Sequence, residues 1–297
     1  MMRIGKNHVK AFVSCFLIAL LISMHLVGCL DLSELGQPKY NYIPVNTKEE
    51  LFKVVNDAIY TFEDTICVKT KDYDTFKELW QQLDSEKVLH TVFRSKFYQV
   101  RYQNKKDECQ IQILMTMNPC GEALQYLYTK KLKEYKTPEA KKLGDNMMRV
   151  IDEIIKPEMT DEQKVREIHD YIVTHFEYAV GGDVDDYAQA EVLFDQNRGQ
   201  CQAYSELFVA LCLLSGVEAR IVSGQSSIGY GYGETGHAWC QVKLDSFWYH
   251  VDPTWDDPVP DEGKNVRYDY YLKGDLALQR THEWSSLFEV CYVDYSS

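Results

Sequence analysis

The chain has 297 residues, of which 45% are hydrophobic and 13% aromatic, a composition typical of a folded protein and not of a disordered one. Its 45 acidic and 32 basic residues give a net charge of −13, and removing residues 1–28, which hold three basic and no acidic side chains, changes it to −16. A surface this acidic repels phosphate backbones, so the charge balance argues against a nucleic-acid partner.

The N-terminus has the composition of a secretion signal. Residues 1–10 carry three basic side chains, residues 11–27 are almost wholly apolar, and Leu26-Val27-Gly28-Cys29 follows. A basic start, a short apolar run and a small residue before the cut are typical of a signal peptide. The Leu-x-Gly-Cys ending resembles the bacterial lipobox, in which the cysteine is lipidated and becomes the new N-terminus. The alternative is an uncleaved anchor, but the run is shorter than the roughly 20 apolar residues that a membrane span needs.

We therefore expect residues 1–28 to be a lipoprotein signal peptide, Cys29 to carry the lipid, and residues 29–46 to form a polar tether. On either alternative the rest of the chain lies outside the cytoplasm. The expected location is the outer face of the bacterial cell membrane, with the lipid as the membrane contact.

Residues 47–135 are predicted to form a small α+β domain. Thr47 followed three residues later by Glu50 is a capping-box signature, and a helical stripe of apolar residues follows it. Further elements are predicted from periodicity: a β-rich stretch at 62–69, a helix at 73–89, paired strands at 97–102 and 110–117, and a helix at 121–132. No constellation of catalytic type occurs here, so packing or binding is the default role.

A second domain is predicted from residue 136 to residue 297. Thr137 suits a helix cap, and the proline after it suits the first helical position. Thr160 and Gln163 form another capping box, which opens a helix that carries His169. A lone helical histidine is more often a satisfied core or surface residue than a ligand, so His169 receives no site role.

The next helix is predicted to begin at Cys201. Leu207, Leu211 and Leu214 recur at helical spacing, and Gly216 ends the pattern. The first turn of a helix offers backbone N–H groups and the positive end of the helix dipole. Both favour a thiolate, which is the nucleophilic form of cysteine. The same N–H groups are suited to hold a developing oxyanion.

Two strands after this helix form a predicted hairpin with its turn at Asp245-Ser246. An even-length turn centred there pairs Trp239 with Asp252. His237 then lies diagonally across from Asp252 on the same face, within reach for an imidazole and a carboxylate. A three-residue turn would move one partner to the opposite face.

These residues predict a cysteine–histidine–aspartate triad. Cys201 attacks, His237 takes and returns the proton, and Asp252 fixes the imidazole tautomer and stabilises the imidazolium. The same three residues are conceivable zinc ligands, but structural zinc normally takes four protein ligands and favours paired cysteines, and no such pair lies near Cys201. We therefore expect no metal and no cofactor.

Three ordered blocks carry a family resemblance. They are Gly199-Gln200-Cys201-Gln202-Ala203-Tyr204-Ser205, Gly236-His237-Ala238-Trp239 and Trp248-Tyr249-His250-Val251-Asp252-Pro253-Thr254-Trp255-Asp256. In this order they resemble the bacterial transglutaminase-like superfamily, over about residues 160–271 and ending at an expected strand at 268–272. The resemblance implies an α+β, papain-like fold in which a nucleophile helix packs on an antiparallel sheet. It also implies that Cys201, His237 and Asp252 are the triad.

The resemblance further implies that Tyr187, upstream of the cysteine, borders the site. Gln200 and Trp239 are additional candidates for substrate contact, although packing is the ordinary role of such a tryptophan. Two departures from the family pattern are Ala203, where glycine is common, and Asp245-Ser246, which replaces the usual Asp-Gly turn. Neither departure removes a catalytic atom.

Family membership alone does not choose a substrate, since the group includes cross-linkers, peptidases, amidases and silent copies. The expected activity is thiol-dependent acyl transfer to, or hydrolysis of, an amide in a protein or peptide, with a cell-wall peptide a candidate on location alone. The alternative is a catalytically silent binding or adaptor lipoprotein. A third possibility, a structural protein built on disulfides, predicts no free thiol at Cys201. Cys212 and Cys240 are expected to be buried free cysteines, and no disulfide is assigned.

Overall fold

The computed structural model describes residues 40–86, 88, 93–181, 187–226, 235–260, 262–263 and 265–296. The predicted signal peptide, Cys29 and the tether as far as residue 39 lie outside the described residues. Within the described part of the chain, no helix combines the length and the apolar character needed to cross a membrane.

An antiparallel sheet with one short parallel edge strand forms the N-terminal part. The strand order is β1-β2-β4-β3, with β1 parallel to β2 and the other pairs antiparallel. The predicted pairing of 97–102 with 110–117 is confirmed, since Val100 lies opposite Ile113. The strands and the helices between them are β1 (Ile43–Pro44), α1 (Lys48–Tyr60), β2 (Thr65–Thr70), α2 (Tyr73–Ser85), β3 (Arg94–Asn104) and β4 (Cys109–Met117).

Helix starts in this part follow from local capping. The Thr47 hydroxyl accepts the backbone N–H of Glu50 at 3.2 Å, so the predicted start of α1 is confirmed. In a full capping box the Glu50 carboxylate would accept the Thr47 backbone N–H, but here it accepts the Asn46 backbone N–H at 2.7 Å. Asp72 accepts the backbone N–H of Thr75 at 2.8 Å and opens α2 in the same way. Such caps satisfy N–H groups that have no acceptor inside the helix.

Helices separate the two sheets along the chain. Thr137 caps the helix Pro138–Ile154, which has proline at its first position, as the sequence predicts. Thr160 and Gln163 form a reciprocal capping box on the helix Asp161–His175, which is also as predicted. These elements are α3 (Pro119–Leu127), α4 (Pro138–Ile154), α5 (Asp161–His175), the parallel pair β5 (Glu177–Tyr178) and β6 (Arg198–Gly199), α6 (Glu191–Gln196) and α7 (Cys201–Leu214).

The second sheet is antiparallel throughout, in the order β10-β7-β8-β9. Helix α7 packs on it, and the Cys240 thiol lies 3.8 Å from the Ser205 carbonyl oxygen at that contact. The fold is therefore α+β with a helix against an antiparallel sheet, as expected. The elements are β7 (Ala219–Ser226), β8 (Thr235–Leu244), β9 (Phe247–Val251), α8 (Pro253–Asp256), α9 (Asp275–Leu278) and β10 (His282–Trp284).

The prediction of a strand at 268–272 is wrong. The chain does run beside β9, since His250 and Lys273 exchange backbone hydrogen bonds at 2.8 and 2.9 Å. However, Leu272 has φ +51°, in the left-handed region, and this conformation breaks the extended backbone that a strand requires. The final strand of the sheet is instead β10, ten residues further along.

One hydrophobic core runs from Val45 to Phe288, and residues 42–297 form one compact unit. Helix α1 connects the N-terminal part to the second sheet, because the Tyr60 hydroxyl accepts the backbone N–H of Ile221 on β7 at 2.7 Å. The Phe52 ring of the same helix packs edge-on against Phe288. The predicted domain boundary at 135/136 falls between α3 and α4, inside this unit, and stays a prediction.

Candidate active site

The hairpin β8–β9 positions the histidine and the aspartate. Leu244 lies opposite Phe247, so the turn has two residues, and Asp245 and Ser246 adopt φ +49° and +76°. Both angles are those of the turn type that matches the twist of a hairpin. The predicted register is confirmed, and the His237 Nε2 atom lies 2.7 Å from Asp252 Oδ2.

Cys201 is the first residue of α7 and is partly exposed. The chain enters this helix through Gly199, where an added Cβ would lie 2.7 Å from Leu193 Cδ2 and 3.0 Å from Ala203 Cβ. Only glycine fits there without displacing a neighbour. The thiol lies close enough to the His237 ring and to the backbone N–H of Ala238 for both groups to lower its pKa.

Cys201 and His237 shift each other's ionisation. Burial works to raise the pKa of the Cys201 thiol, but the hydrogen bond and charge of His237 outweigh it, and the pKa is lowered. Burial works against the imidazolium too, yet Asp252 and then Cys201 raise the pKa of His237 to about 10. Because Nε2 is engaged by Asp252, Nδ1 is the ring atom available to the thiol. The site therefore favours a thiolate–imidazolium pair.

Asp252 is fully buried, and both of its oxygens accept hydrogen bonds. Oδ1 accepts the backbone N–H groups of Thr254 and Trp255 at 3.0 and 3.2 Å, so the carboxylate also caps α8. Oδ2 faces His237 and, at 3.1 Å, a second histidine, His282. Burial alone would raise the pKa of Asp252, but His237 and His282 hold it well below the usual range.

Sequence reasoning missed His282. It lies on β10, a strand of three residues that is too short to show periodicity, and 30 positions separate it from Asp252. Trp255 is a second group whose position the sequence left open. This partly exposed indole lies beside both histidine rings, with centroids 5.8 Å from His237 and 4.6 Å from His282.

Trp239 does not fit its predicted role in substrate contact, because its side chain has no exposed surface. It stacks on the His237 ring, with centroids 5.8 Å apart, and its indole N–H donates to His250 Nδ1 at 3.0 Å. The Trp239 indole therefore packs against one face of the His237 imidazole and restricts its orientation.

Gln200 lies directly before α7, and Tyr187 lies beside Gln200 although it is further back in the chain. The Tyr187 carbonyl accepts the Gln200 backbone N–H at 2.9 Å, and the Gln200 amide lies 3.4 Å from the Ala179 carbonyl oxygen. Arg198 covers the Tyr187 ring, 5.5 Å from its centroid. Contact of Tyr187 and Gln200 with a substrate stays a prediction.

Among the described residues, two clusters have the composition of metal sites. They are His237, Asp252 and His282, and His250, Asp275 and Cys291. In the second cluster, His250 Nδ1 accepts the Trp239 N–H, so Nε2 carries the ring proton and faces Asp275 at 3.0 Å. In the first cluster, both histidines direct Nε2 at one carboxylate oxygen. At these distances each Nε2 can donate a hydrogen bond to the carboxylate that it faces.

The expectation for the cysteines is confirmed where the structure describes them. Cys212 and Cys240 are buried free thiols, and Cys201 is also a free thiol in the part of the chain that the structure describes. His169, on α5, is fully buried between Asp170 and Asp256, at 3.0 and 3.1 Å. It is thus a satisfied core residue, as predicted.

A family model described as Transglutaminase-like superfamily matches residues 149–253, which include all three residues of the predicted triad. Kyphoscoliosis peptidase from Homo sapiens is 34% identical over 122 residues, and its counterpart from Mus musculus is 33% identical over 122 residues. Each alignment covers 38% of this chain but only 18% of the relative, so the chain spans under a fifth of their length.

Solved structures give weaker likenesses. A crystal structure of a TGase has a TM-score of 0.35 and 14% identity, over 72% of this chain and 59% of that one. A putative cysteine protease from Cytophaga hutchinsonii has a TM-score of 0.33 and 15% identity, over 57% of this chain and 66% of the other. At these scores the likenesses add nothing to the family match.

Proposed function

Since residues 149–253 form a transglutaminase-like domain, we propose that the protein is a thiol-dependent enzyme that acts on an amide in a protein or peptide. One observation carries the proposal: His237 Nε2 lies 2.7 Å from Asp252 Oδ2, and the same imidazole lowers the pKa of the Cys201 thiol at the start of a helix. Nucleophile, base and orienting carboxylate then stand in the order that acyl transfer needs.

The proposed reaction has two halves. The Cys201 thiolate attacks the amide carbonyl carbon, and the first-turn N–H groups of α7 are suited to hold the oxyanion. The His237 imidazolium gives its proton to the leaving amine, the C–N bond breaks, and a thioester forms. Water or a second amine then attacks the thioester while His237 takes its proton, and Cys201 leaves as a thiolate.

We propose hydrolysis as the first activity to test, because the relatives that align with this segment are called peptidases. Transfer to an amine uses the same thioester and differs only in the acceptor that reaches it.

The proposed setting is the outer face of a bacterial membrane, with Cys29 lipidated and a cell-wall peptide within reach. That part of the proposal rests on residues 1–29 alone.

The test combines thiol reactivity with turnover. The rate of Cys201 alkylation by iodoacetamide is measured against pH by mass spectrometry in the chain from residue 30 onward and in His237→Ala. Cys67 is an internal control, because it is also partly exposed but burial raises its pKa. Rapid labelling of Cys201 well below the ordinary thiol pKa of about 8.5, lost in His237→Ala, is the expected result.

Turnover is measured on a fluorogenic peptide library, with and without a labelled primary amine as acceptor. Amide cleavage or amine incorporation that disappears in Cys201→Ala supports the enzyme and shows which acceptor is used. Activity that persists in Cys201→Ala overturns the mechanism. Ordinary thiol reactivity together with no turnover favours the silent adaptor.

A further inference from the structure

One carboxylate oxygen of Asp252 serves two histidines. Oδ2 lies 2.7 Å from His237 Nε2 and 3.1 Å from His282 Nε2, and all three side chains are buried. The other oxygen is fixed by the backbone N–H groups of Thr254 and Trp255. The two histidines therefore share a single acceptor atom.

The contacts of His282 fix its tautomer. An ionised carboxylate is only an acceptor, so His282 Nε2 must carry a proton toward Asp252. With the ring proton on Nε2, Nδ1 is an acceptor, and it lies 2.8 Å from the Thr281 hydroxyl, which can donate to it. The same hydroxyl lies 3.4 Å from the Leu278 carbonyl oxygen. Burial lowers the pKa of His282, and the ring is neutral with a single N–H.

The ionisable groups that face His282 are few in the described part of the chain. Asp252 is the anion, and His237, His250 and the Tyr270 phenol are the other titratable neighbours. Aromatic side chains surround the His282 imidazole. The ring centroids of Trp239, Trp255 and Tyr270 lie 4.9, 4.6 and 5.6 Å from the centroid of His282. His282 thus has one polar side-chain target on the active-site side, Asp252.

We propose that His282 is a positioning residue for the Cys201–His237 pair, whose neutral N–H holds Asp252 Oδ2 against His237 and moderates the negative charge that reaches the imidazolium. Without this N–H, Oδ2 directs more of its charge at His237, and the imidazolium holds its proton more tightly. Proton donation to the leaving amine then becomes slower. This role rests on the proposed function, but its effect on the ionisation of His237 does not require a substrate.

The test uses two variants of the folded protein, His282→Leu and His282→Gln. Leucine removes the donor, whereas the glutamine amide nitrogen can occupy the position of Nε2 and donate to Asp252. We expect kcat of His282→Leu to fall about 10- to 100-fold, the worth of a hydrogen bond to a charged group, with KM unchanged. His282→Gln should keep most of the wild-type kcat. Equal losses in the two variants would overturn the proposal, because they would indicate a purely structural role.

Nitrogen NMR of ring-labelled histidine supplies a readout without substrate. In the wild-type protein His282 should be the neutral tautomer with its proton on Nε2, and a charged ring or a proton on Nδ1 overturns the proposal even if neither variant folds. The titration of His237 should move to higher pH in His282→Leu and stay near the wild-type position in His282→Gln. If these shifts occur while no amide is turned over, the positioning role stands and the proposed function fails separately.

Discussion

Glu206 accepts the backbone N–H of Phe93 at 3.0 Å and thereby ties the helix that carries Cys201 to the start of β3. The Asn118 amide, which precedes α3, also donates to this carboxyl, at 3.1 Å. Glu206 is fully buried, and burial raises its pKa to about 7. A titratable side chain thus links the N-terminal sheet to the helix that begins at Cys201.

The first prediction concerns the pH dependence of stability. The pKa of Glu206 is raised from 4.5 to about 7 in the folded protein, so the folded state binds its proton more tightly. The resulting stabilisation is complete below pH 4.5 and is lost as pH rises through 7, by ~3 kcal/mol. Glu206→Gln should abolish this loss. Urea unfolding at pH 5 and pH 8 measures it, with the exposed Glu49→Gln as control. An unchanged pH slope in Glu206→Gln would contradict the assignment.

The second prediction concerns Gly224, where β10 crosses close to β7. A Cβ at this position would lie 2.1 Å from the Glu283 carbonyl oxygen and 2.9 Å from the Trp239 ring. Gly224→Ala should therefore displace β10, which carries His282, and lower both the unfolding free energy and the reactivity of Cys201. Gly236 lies opposite Gln225, the residue after Gly224, and an added Cβ there would have no heavy atom within 4 Å. Gly236→Ala should therefore lower the unfolding free energy much less. Equal melting temperatures in the two variants would refute this.

The third prediction concerns His169. Both ring nitrogens face carboxylates, so the buried ring is an imidazolium that links α5 to Asp256 of α8. Burial opposes its charge, but Asp170 and Asp256 raise the pKa of His169 above its usual value. Its stabilisation is complete below pH 6.5 and is lost as pH rises through the folded pKa. His169→Gln leaves one carboxylate without its partner and should cost about 3–5 kcal/mol.

Urea unfolding at pH 6 measures this cost, and His175→Gln on the exposed face of the same helix is the matched control. The loss in His169→Gln should also shrink as the pH is raised. A loss no greater than that of the control would show that the ring is neutral and dispensable.

The fourth prediction concerns the turn that sets the active-site register. Ser246 has φ +76°, a conformation that costs a residue with a Cβ about 1–2 kcal/mol. Ser246→Gly should raise the unfolding free energy by about 0.5–1 kcal/mol, because glycine recovers more strain than it adds in chain entropy. Ser226→Gly, within β7, should lower it. A destabilised Ser246→Gly would mean that the serine side chain makes a compensating contact.

The parts of the site that the sequence predicted are those determined locally. The alternation through Trp239 and the two-residue turn define which residues of the hairpin share a face, and this places His237 near Asp252 before any tertiary contact is known. The start of α7 follows similarly from its apolar periodicity. These patterns depend on side-chain alternation within continuous strands and on one short turn, so they can be read without knowing any other part of the fold.

The rest depends on contacts between distant segments. His282 reaches Asp252 only because β10 adds to the edge of β7 at Gly224, a pairing that three residues do not encode. Glu206 falls among apolar residues of α7, and nothing in its neighbours indicates the Phe93 N–H that it accepts. The expected strand at 268–272 satisfied the local pattern, but the left-handed conformation of Leu272 is imposed by its surroundings. The burial of Trp239 could not be predicted from the sequence either. Alternation with a period of two shows which residues share a face of the sheet, but not whether other elements cover that face.

The sulfur and the imidazole are held by different parts of the protein. The spacing between His237 and Asp252 is set by a two-residue turn, whereas the position of Cys201 depends on how α7 is held by Glu206 against Phe93 and Asn118. A homologue could keep all three signature blocks and still lose catalysis through substitutions before residue 120. Under the proposed function, the residues at positions 118 and 206 would therefore have to be compared together with the triad when active homologues are sought.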